Sequence, residues 1–350
     1  MSVSGAILEE VLAFCKESVE SWKELDAATV SVRQLTGNSN KVLLVETSEP
    51  ISPSKLIFRY FGPDEVTDKR RERLIFRKLG RLGMGPESYG ETPRMRVEEF
   101  LEGFEPLTHT QIVDPNIMKL VTARLRQFHK LDFSDVINKE PLITDQHPLK
   151  WREVAYNRFT VNPNITERRA EYEEAMELLQ ASNWDLYDSM LPRDSPVVFC
   201  HSDPSELNFL YNAAENRIYF VDFEFAGYSY RAMDMASWLN EAMSDYSHDQ
   251  YPFFSYNTQD MPSDEVIAAY VRSYGEGKDL FIELKRCLIA VHYLWALWSL
   301  ASYKGDLGRY DYLGYALMRY RDFKRTLGEF RSMGGLEGLR VLADRLFPLS

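Results

Sequence analysis

The sequence predicts an α+β fold in two lobes. A small, mostly antiparallel β-rich lobe with one inserted helix spans residues 1–101, and a larger, mainly helical lobe spans 102–350. Three observations predict it. Strand-like apolar runs recur early, at 29–35, 41–47, 55–61, 87–90 and 96–101, with one helical pattern among them at 68–82. From about residue 115 the period is helical, at 115–131, 166–183, 232–243, 263–274, 279–303 and 310–331. One hairpin interrupts those helices: Asn208–Tyr211 and Arg217–Val221 across the turn-like Asn212–Asn216.

Each element follows from its residues. Positions 6–25 alternate apolar and acidic groups at helical period, an amphipathic opening helix that could serve a dimer or pack on its own lobe. Leu74, Ile75 and Leu79 give helix 68–82 its apolar side, and the basic residues of Lys69–Arg81 surround them as a solvated face. The most apolar run, Ala290–Ala301, contains His292 and is too short to span a bilayer.

Composition narrows the classes. The chain has 350 residues, 45% of them hydrophobic, enough for a large core. A net charge of −12 argues against nucleic-acid binding. Cys15, Cys200 and Cys287 lie far apart, an odd count that suits a reducing compartment. With Glu9 and Glu10 in place of a basic, apolar leader, the expectation is a cytoplasmic protein without membrane insertion.

The chemistry is concentrated in 199–224. His201, Asp203 and Asn208 form an H-x-D-x-x-x-x-N loop, the short hairpin follows, and Asp222 stands in Val-Asp-Phe-Glu. Phosphoryl transfer needs this set: one carboxylate to accept a hydroxyl proton, then an amide and a second carboxylate to hold Mg²⁺ against a triphosphate. Upstream, the turn Gly37, Asn38, Ser39, Asn40 is small and polar enough for backbone N–H groups to approach phosphate, though such a turn is also an ordinary hairpin. Arg59, in an otherwise apolar strand, faces solvent or finds a partner; it could meet the phosphates with Glu72 on the next helix as its own partner. Backbone near Glu99–Leu101 could read an adenine edge.

These residues resemble the choline/ethanolamine kinases. That family's loop reads H-N-D-x-x-x-x-N and its metal segment I-D-F-E-Y; here they are His201–Ser202–Asp203…Asn208 and Val221–Asp222–Phe223–Glu224–Phe225. Tyr228–Ser229–Tyr230–Arg231–Ala232–Met233–Asp234 is close to the family's Y-N-Y-R-x-x-D, and the likeness runs from about Leu35 to Phe330. It implies a protein-kinase-like bilobal fold using ATP and Mg²⁺, with the nucleotide between the lobes. Asp203 would be the base. Asn208 and Asp222, with Glu224 nearby, would hold the metal. Gly37–Ser39, Arg59, Glu99 and Ser205 would lie on the nucleotide side. Ser202, Ser205, Phe225 and Ser237 depart from the family's Asn, Gln, Tyr and Asn. The resemblance also suggests a homodimer.

A quaternary ammonium has no N–H to donate, so its recognition needs ring faces and diffuse negative charge. Trp295 and Trp298 stand three apart on one helix, Tyr312 and Tyr315 repeat that spacing on the next, and Glu241 and Tyr246 follow the metal segment. Aromatic pairs at helical spacing are also ordinary core; the resemblance places these six on the family's choline pocket. Choline is the expected acceptor, giving phosphocholine for phosphatidylcholine synthesis, with ethanolamine as a second substrate. The alternatives are an ethanolamine kinase, an aminoglycoside-type kinase, whose polycationic substrate should want several carboxylates, and a catalytically silent binding module.

Overall fold

A computed structural model describes residues 5–35, 40–63, 65–161, 168–248, 250–305 and 310–348. The chain divides into two compact units, Met1–Glu105 with Tyr219–Glu224, and Pro106–Ile218 with Phe225–Ser350.

The first unit is a five-stranded antiparallel sheet between helices. Strands β1 (Val30–Gln34), β2 (Lys41–Thr47), β3 (Lys55–Tyr60), β4 (Ser88–Glu91) and β5 (Met95–Glu99) take the order β1-β2-β3-β5-β4. Alternation along the strands sorts the two faces. Leu43, Val45, Leu56, Phe58 and Val97 form one core with Val11, Phe14 and Cys15 of α1 (Gly5–Ser18). Arg59, Arg96 and Glu98 fall on the opposite face. Helix α1 ends at Ser18, short of the expected residue 25, because a 3₁₀ turn at Glu20–Trp22 redirects the chain. Trp22 is buried there and its Nε1 donates to the Pro53 carbonyl at 2.8 Å. Helix α2 (Lys69–Arg81) starts at Asp68, whose Oδ1 accepts the Arg71 N–H at 2.9 Å, an N-cap. Its basic face is not uniformly solvated: Lys69 and Glu72 are both buried.

The second unit begins near the two-residue strand β6 (Glu105–Pro106) and is mainly helical. Its helices are α3 (Pro115–Phe128), α4 (Ile143–Val161), α5 (Arg169–Leu178), α6 (Ala181–Met190), α7 (Arg231–Glu241), α8 (Asp264–Tyr274), α9 (Lys278–Ser302), α10 (Tyr312–Ser332) and α11 (Gly335–Leu346). Strand β7 (Val197–Cys200) pairs with β10 (Gly227–Tyr230), Cys200 opposite Gly227, and β10 runs directly into α7. Strands β8 (Phe209–Asn212) and β9 (Arg217–Phe220) flank a turn in which Asn212 Oδ1 accepts the Glu215 N–H at 3.0 Å. A further pair, β11 (Ser244–Asp245) and β12 (Ser255–Tyr256), follows α7. Helix α9 packs on α4, α7 and α10 and is buried on nearly every side from Cys287 to Leu297. A span of α4, whose interior Pro148 reads as a helix breaker, was not expected, nor was α11. The single helix expected over 166–183 is two, divided at Leu179–Gln180; residues 162–167 lie outside the described residues. Among the described residues no helix is long and apolar enough to cross a membrane.

Candidate active site

In the first unit the polar strand face is a chain of alternating charges. Arg59 is buried on the central strand β3, with its Nε on Glu98 Oε1 at 2.7 Å and its Nη1 on Asp222 Oδ2 at 3.2 Å. Across the ladder, directly opposite Arg59, Arg96 donates to the same Glu98 oxygen at 2.9 Å and makes a two-pronged pair with Glu72, at 2.8 and 3.2 Å. The Arg96 guanidinium lies 3.5 Å from the Phe76 ring centroid. Burial alone would raise the Glu98 carboxyl; Arg59 and Arg96 overcome that and hold it below the ordinary range. Glu72 therefore meets Arg96 rather than Arg59, correcting the expected pairing: Glu98, two positions along the strand from Arg96, is the acid within reach of both guanidinium groups.

A second set joins Lys69, Asn40 and Glu224. Lys69 Nζ donates to Glu224 Oε2 at 2.7 Å and to Asn40 Oδ1 at 3.1 Å, and that same Asn40 oxygen accepts the Gly62 N–H. Glu224 thus carries an ammonium partner. Asp222, just past β9, sits at φ 61°, a left-handed conformation that Asp tolerates better than most residues. Glu99 accepts the Glu87 N–H at 3.1 Å, and Leu101 lies just past β5. Gly37, Asn38 and Ser39 lie outside the described residues.

In the second unit the loop after β7 is held from below. Asp234, fully buried in the first turn of α7, accepts the His201 N–H at 2.8 Å and the Ser202 N–H at 2.6 Å. His129 Nε2 meets the same carboxylate at 3.1 Å and its Nδ1 meets the Tyr274 hydroxyl at 2.7 Å. The buried His201 ring turns Nδ1 toward the Asp203 N–H at 3.3 Å. Asn208 Nδ2 donates to both Asp203 O, at 3.0 Å, and Asp203 Oδ2, at 2.9 Å. His201, Asp203 and Asn208 are thereby one rigid set. Ser205 closes the loop, its N–H on Asp203 O and its carbonyl accepting the Asn208 N–H.

The expected aromatic residues also come together within this unit. Trp295 and Trp298 meet edge to face at 5.5 Å, and Trp298 meets Tyr312 at 5.8 Å. Tyr310 joins Tyr312 to Tyr315, at 4.9 and 5.7 Å, and the Tyr246 and Tyr315 hydroxyls lie 3.2 Å apart. Glu241 is buried and already paired, its Oε1 accepting from Arg319 Nη2 at 2.8 Å. Arg319, fully buried, also donates to Tyr315 Oη at 2.9 Å. Sequence reasoning missed Glu98, Arg96 and Lys69 as network members and did not find Arg319 as the partner of Glu241. An Arg–Val–Glu alternation beside Arg59 in the neighbouring strand was the available signal for the first two.

Three of the departures from the family pattern share one place. Ser202, Phe225 and Ser237 line a small cavity with Thr144, Ser229 and Trp295. Its free space is about 20 Å³, close to the room one water needs. Smaller polar or apolar side chains at these positions thus gather against the loop and the aromatic series together.

Solved structures share the architecture. A choline kinase from Cryptosporidium parvum superposes with a TM-score of 0.78 at 23% identity, over 95% of this chain and 98% of that one. An ADP-bound aminoglycoside phosphotransferase superposes at 0.54 with 14% identity, over 96% and 99%. The fold is therefore the protein-kinase-like fold of small-molecule phosphotransferases. Residues 32–324 match the choline/ethanolamine kinase family, and the chain belongs to that family. A probable ethanolamine kinase of Arabidopsis thaliana is 28% identical over 332 residues, covering 91% of this chain and 85% of that protein. A choline/ethanolamine kinase of Homo sapiens is 26% identical over 352 residues, covering 91% and 86%.

Proposed function

We propose that the chain transfers the terminal phosphoryl group of ATP to the hydroxyl of choline, with ethanolamine as a second acceptor. The observation that carries this reading is the continuous series Trp295–Trp298–Tyr312–Tyr310–Tyr315 in the same unit as the His201–Asp203–Asn208 set. Ring faces suit an ammonium that has no hydrogen to donate, and the acid-and-amide loop suits an alcohol that must lose one.

The acceptor hydroxyl would face Asp203, which takes its proton as the oxygen attacks phosphorus in line. Asn208 holds the Asp203 carboxylate through Nδ2, and Asp234 fixes the backbone beneath it. With Nδ2 committed, Asn208 has Oδ1 to offer a cation. An amide oxygen, as on Asn208, and a carboxylate, as on Asp222, are hard oxygen donors of the kind that suits Mg²⁺. Those two residues are assigned to it, and the ion would offset charge on the triphosphate. Glu224, bound to Lys69, is assigned a supporting place beside them. Arg59, held by Glu98 and Asp222, would orient Asp222 and lend positive charge on the nucleotide side.

A second reading makes ethanolamine the preferred acceptor. The likeness to the Arabidopsis thaliana protein favours it, as does Arg319, which already offsets Glu241. ADP release with Mg·ATP, followed side by side for choline and ethanolamine, separates the two. Our reading predicts a higher kcat/KM for choline. A reversed ratio would make the chain an ethanolamine kinase, and turnover with neither would remove the amino-alcohol assignment.

A further inference from the structure

The turn Glu206–Asn208 carries an acid that the roles assigned above leave unused. Glu206 is 3% exposed, and its Oε2 has no hydrogen-bond partner among the described residues. The strongest charge influences on it from other side chains come from Glu241, Asp203 and Asp245, all acidic. The backbone behind it is fixed, because Glu206 O accepts the Leu107 N–H at 3.1 Å. The Glu206 and Glu241 carboxyls are both buried in the same unit, but Glu241 is spanned by Arg319 at 2.8 Å, so its charge is already offset. A buried carboxylate oxygen without a hydrogen-bond partner is costly unless a cation enters beside it.

We propose that Glu206 is the hydrogen-bond acceptor for the substrate's ammonium group and sets the preference between protonated amines and quaternary ammonium acceptors. The inference rests on the amino-alcohol kinase reading and deepens it. Ethanolamine carries three N–H donors, and one of them can meet Oε2 in a charge-assisted bond. Choline carries none, so it draws only on the Coulombic part of the same carboxylate and on the ring faces. Asp203, at the start of the same short loop, would then face the hydroxyl at the substrate's other end.

The test uses a methylation series: ethanolamine, its N-methyl and N,N-dimethyl derivatives, and choline, each with the full-length wild-type chain, Glu206→Gln and Glu206→Leu. Hydrogen bonds to charged groups are strong enough that Glu206→Leu should cost about ten- to a hundredfold in kcat/KM for every acceptor that keeps an N–H. Choline should lose several-fold less, so the step falls at the last methyl group. Glu206→Gln, which keeps shape and one acceptor oxygen, should shift the ratio in the same direction by a smaller factor. The loss should reside in KM, and thermal stabilisation of the chain by ethanolamine without ATP should shrink in parallel. Equal losses for all four acceptors, or none, would overturn the role of Glu206 while leaving the kinase reading intact. If Glu206→Leu does not fold, the Glu206→Gln ratio decides. Failure of the wild-type chain to turn over any of the four would instead overturn the amino-alcohol reading itself.

Discussion

His292 shows how one buried residue can govern the response to acid. It lies 2% exposed in α9, and burial, then Arg319, depress its pKa to about 3. In the unfolded chain the ring titrates near its ordinary value, so below about pH 6.5 the unfolded state binds a proton that the folded state refuses. Stability contributed by neutral His292 is therefore full above that pH and is lost as pH falls toward 3. Between pH 6.5 and pH 5 the loss should reach about 2 kcal/mol, at 1.36 kcal/mol per unit. Denaturant titrations across that window should show it, and His292→Leu should flatten the slope. An unchanged slope in that variant would assign the acid sensitivity elsewhere. At this scale the sequence was informative about chemistry and poor about pairing. The spacing of His201, Asp203 and Asn208 was legible because it is local. The partner of Arg59 was not, since Glu98 and Arg96 reach it only through the β3–β5 register.

Elements were legible where burial is one-sided. Strands β2 and β3 instead showed as short apolar runs, with Leu43, Leu44 and Val45 buried in succession, because one face meets α1 and the other the charged network. Helix α2 showed its apolar stripe, but the same pattern concealed Lys69 and Glu72, charged residues that are buried because each has a partner. Helix α4 was invisible because Pro148 interrupts its pattern, and the α5–α6 break was hidden because only Leu179 and Gln180 separate the two short helices. The network across β3, β5 and α2 yields a mutational expectation. Arg96→Met keeps the volume near Phe76 but takes from buried Glu72 its guanidinium partner and leaves Glu98 with Arg59 alone. Removing one partner of such a set typically costs about 3–5 kcal/mol. Thermal unfolding should fall sharply, and a second change, Glu72→Gln, should restore part of it. If Arg96→Met unfolds within a degree of wild type, the network does not stabilise the sheet.

For the molecule as a whole, the order of elements, five early strands and then helices around one hairpin, was readable from period alone and is the order observed. The assignment of Tyr219–Glu224 to the first unit was not readable, because nothing in a linear pattern marks a strand that leaves one unit for the other. The account ties Asp203, held by Asn208 and underpinned by Asp234, to phosphoryl transfer. The most direct test is kcat for Asp203→Ala with Mg·ATP and choline, taken together with far-ultraviolet circular dichroism and choline binding. General-base catalysis is worth about 10²–10⁴-fold, so turnover should fall by at least that much while fold and binding persist. Near-wild-type turnover from a folded Asp203→Ala chain would contradict the account at its centre.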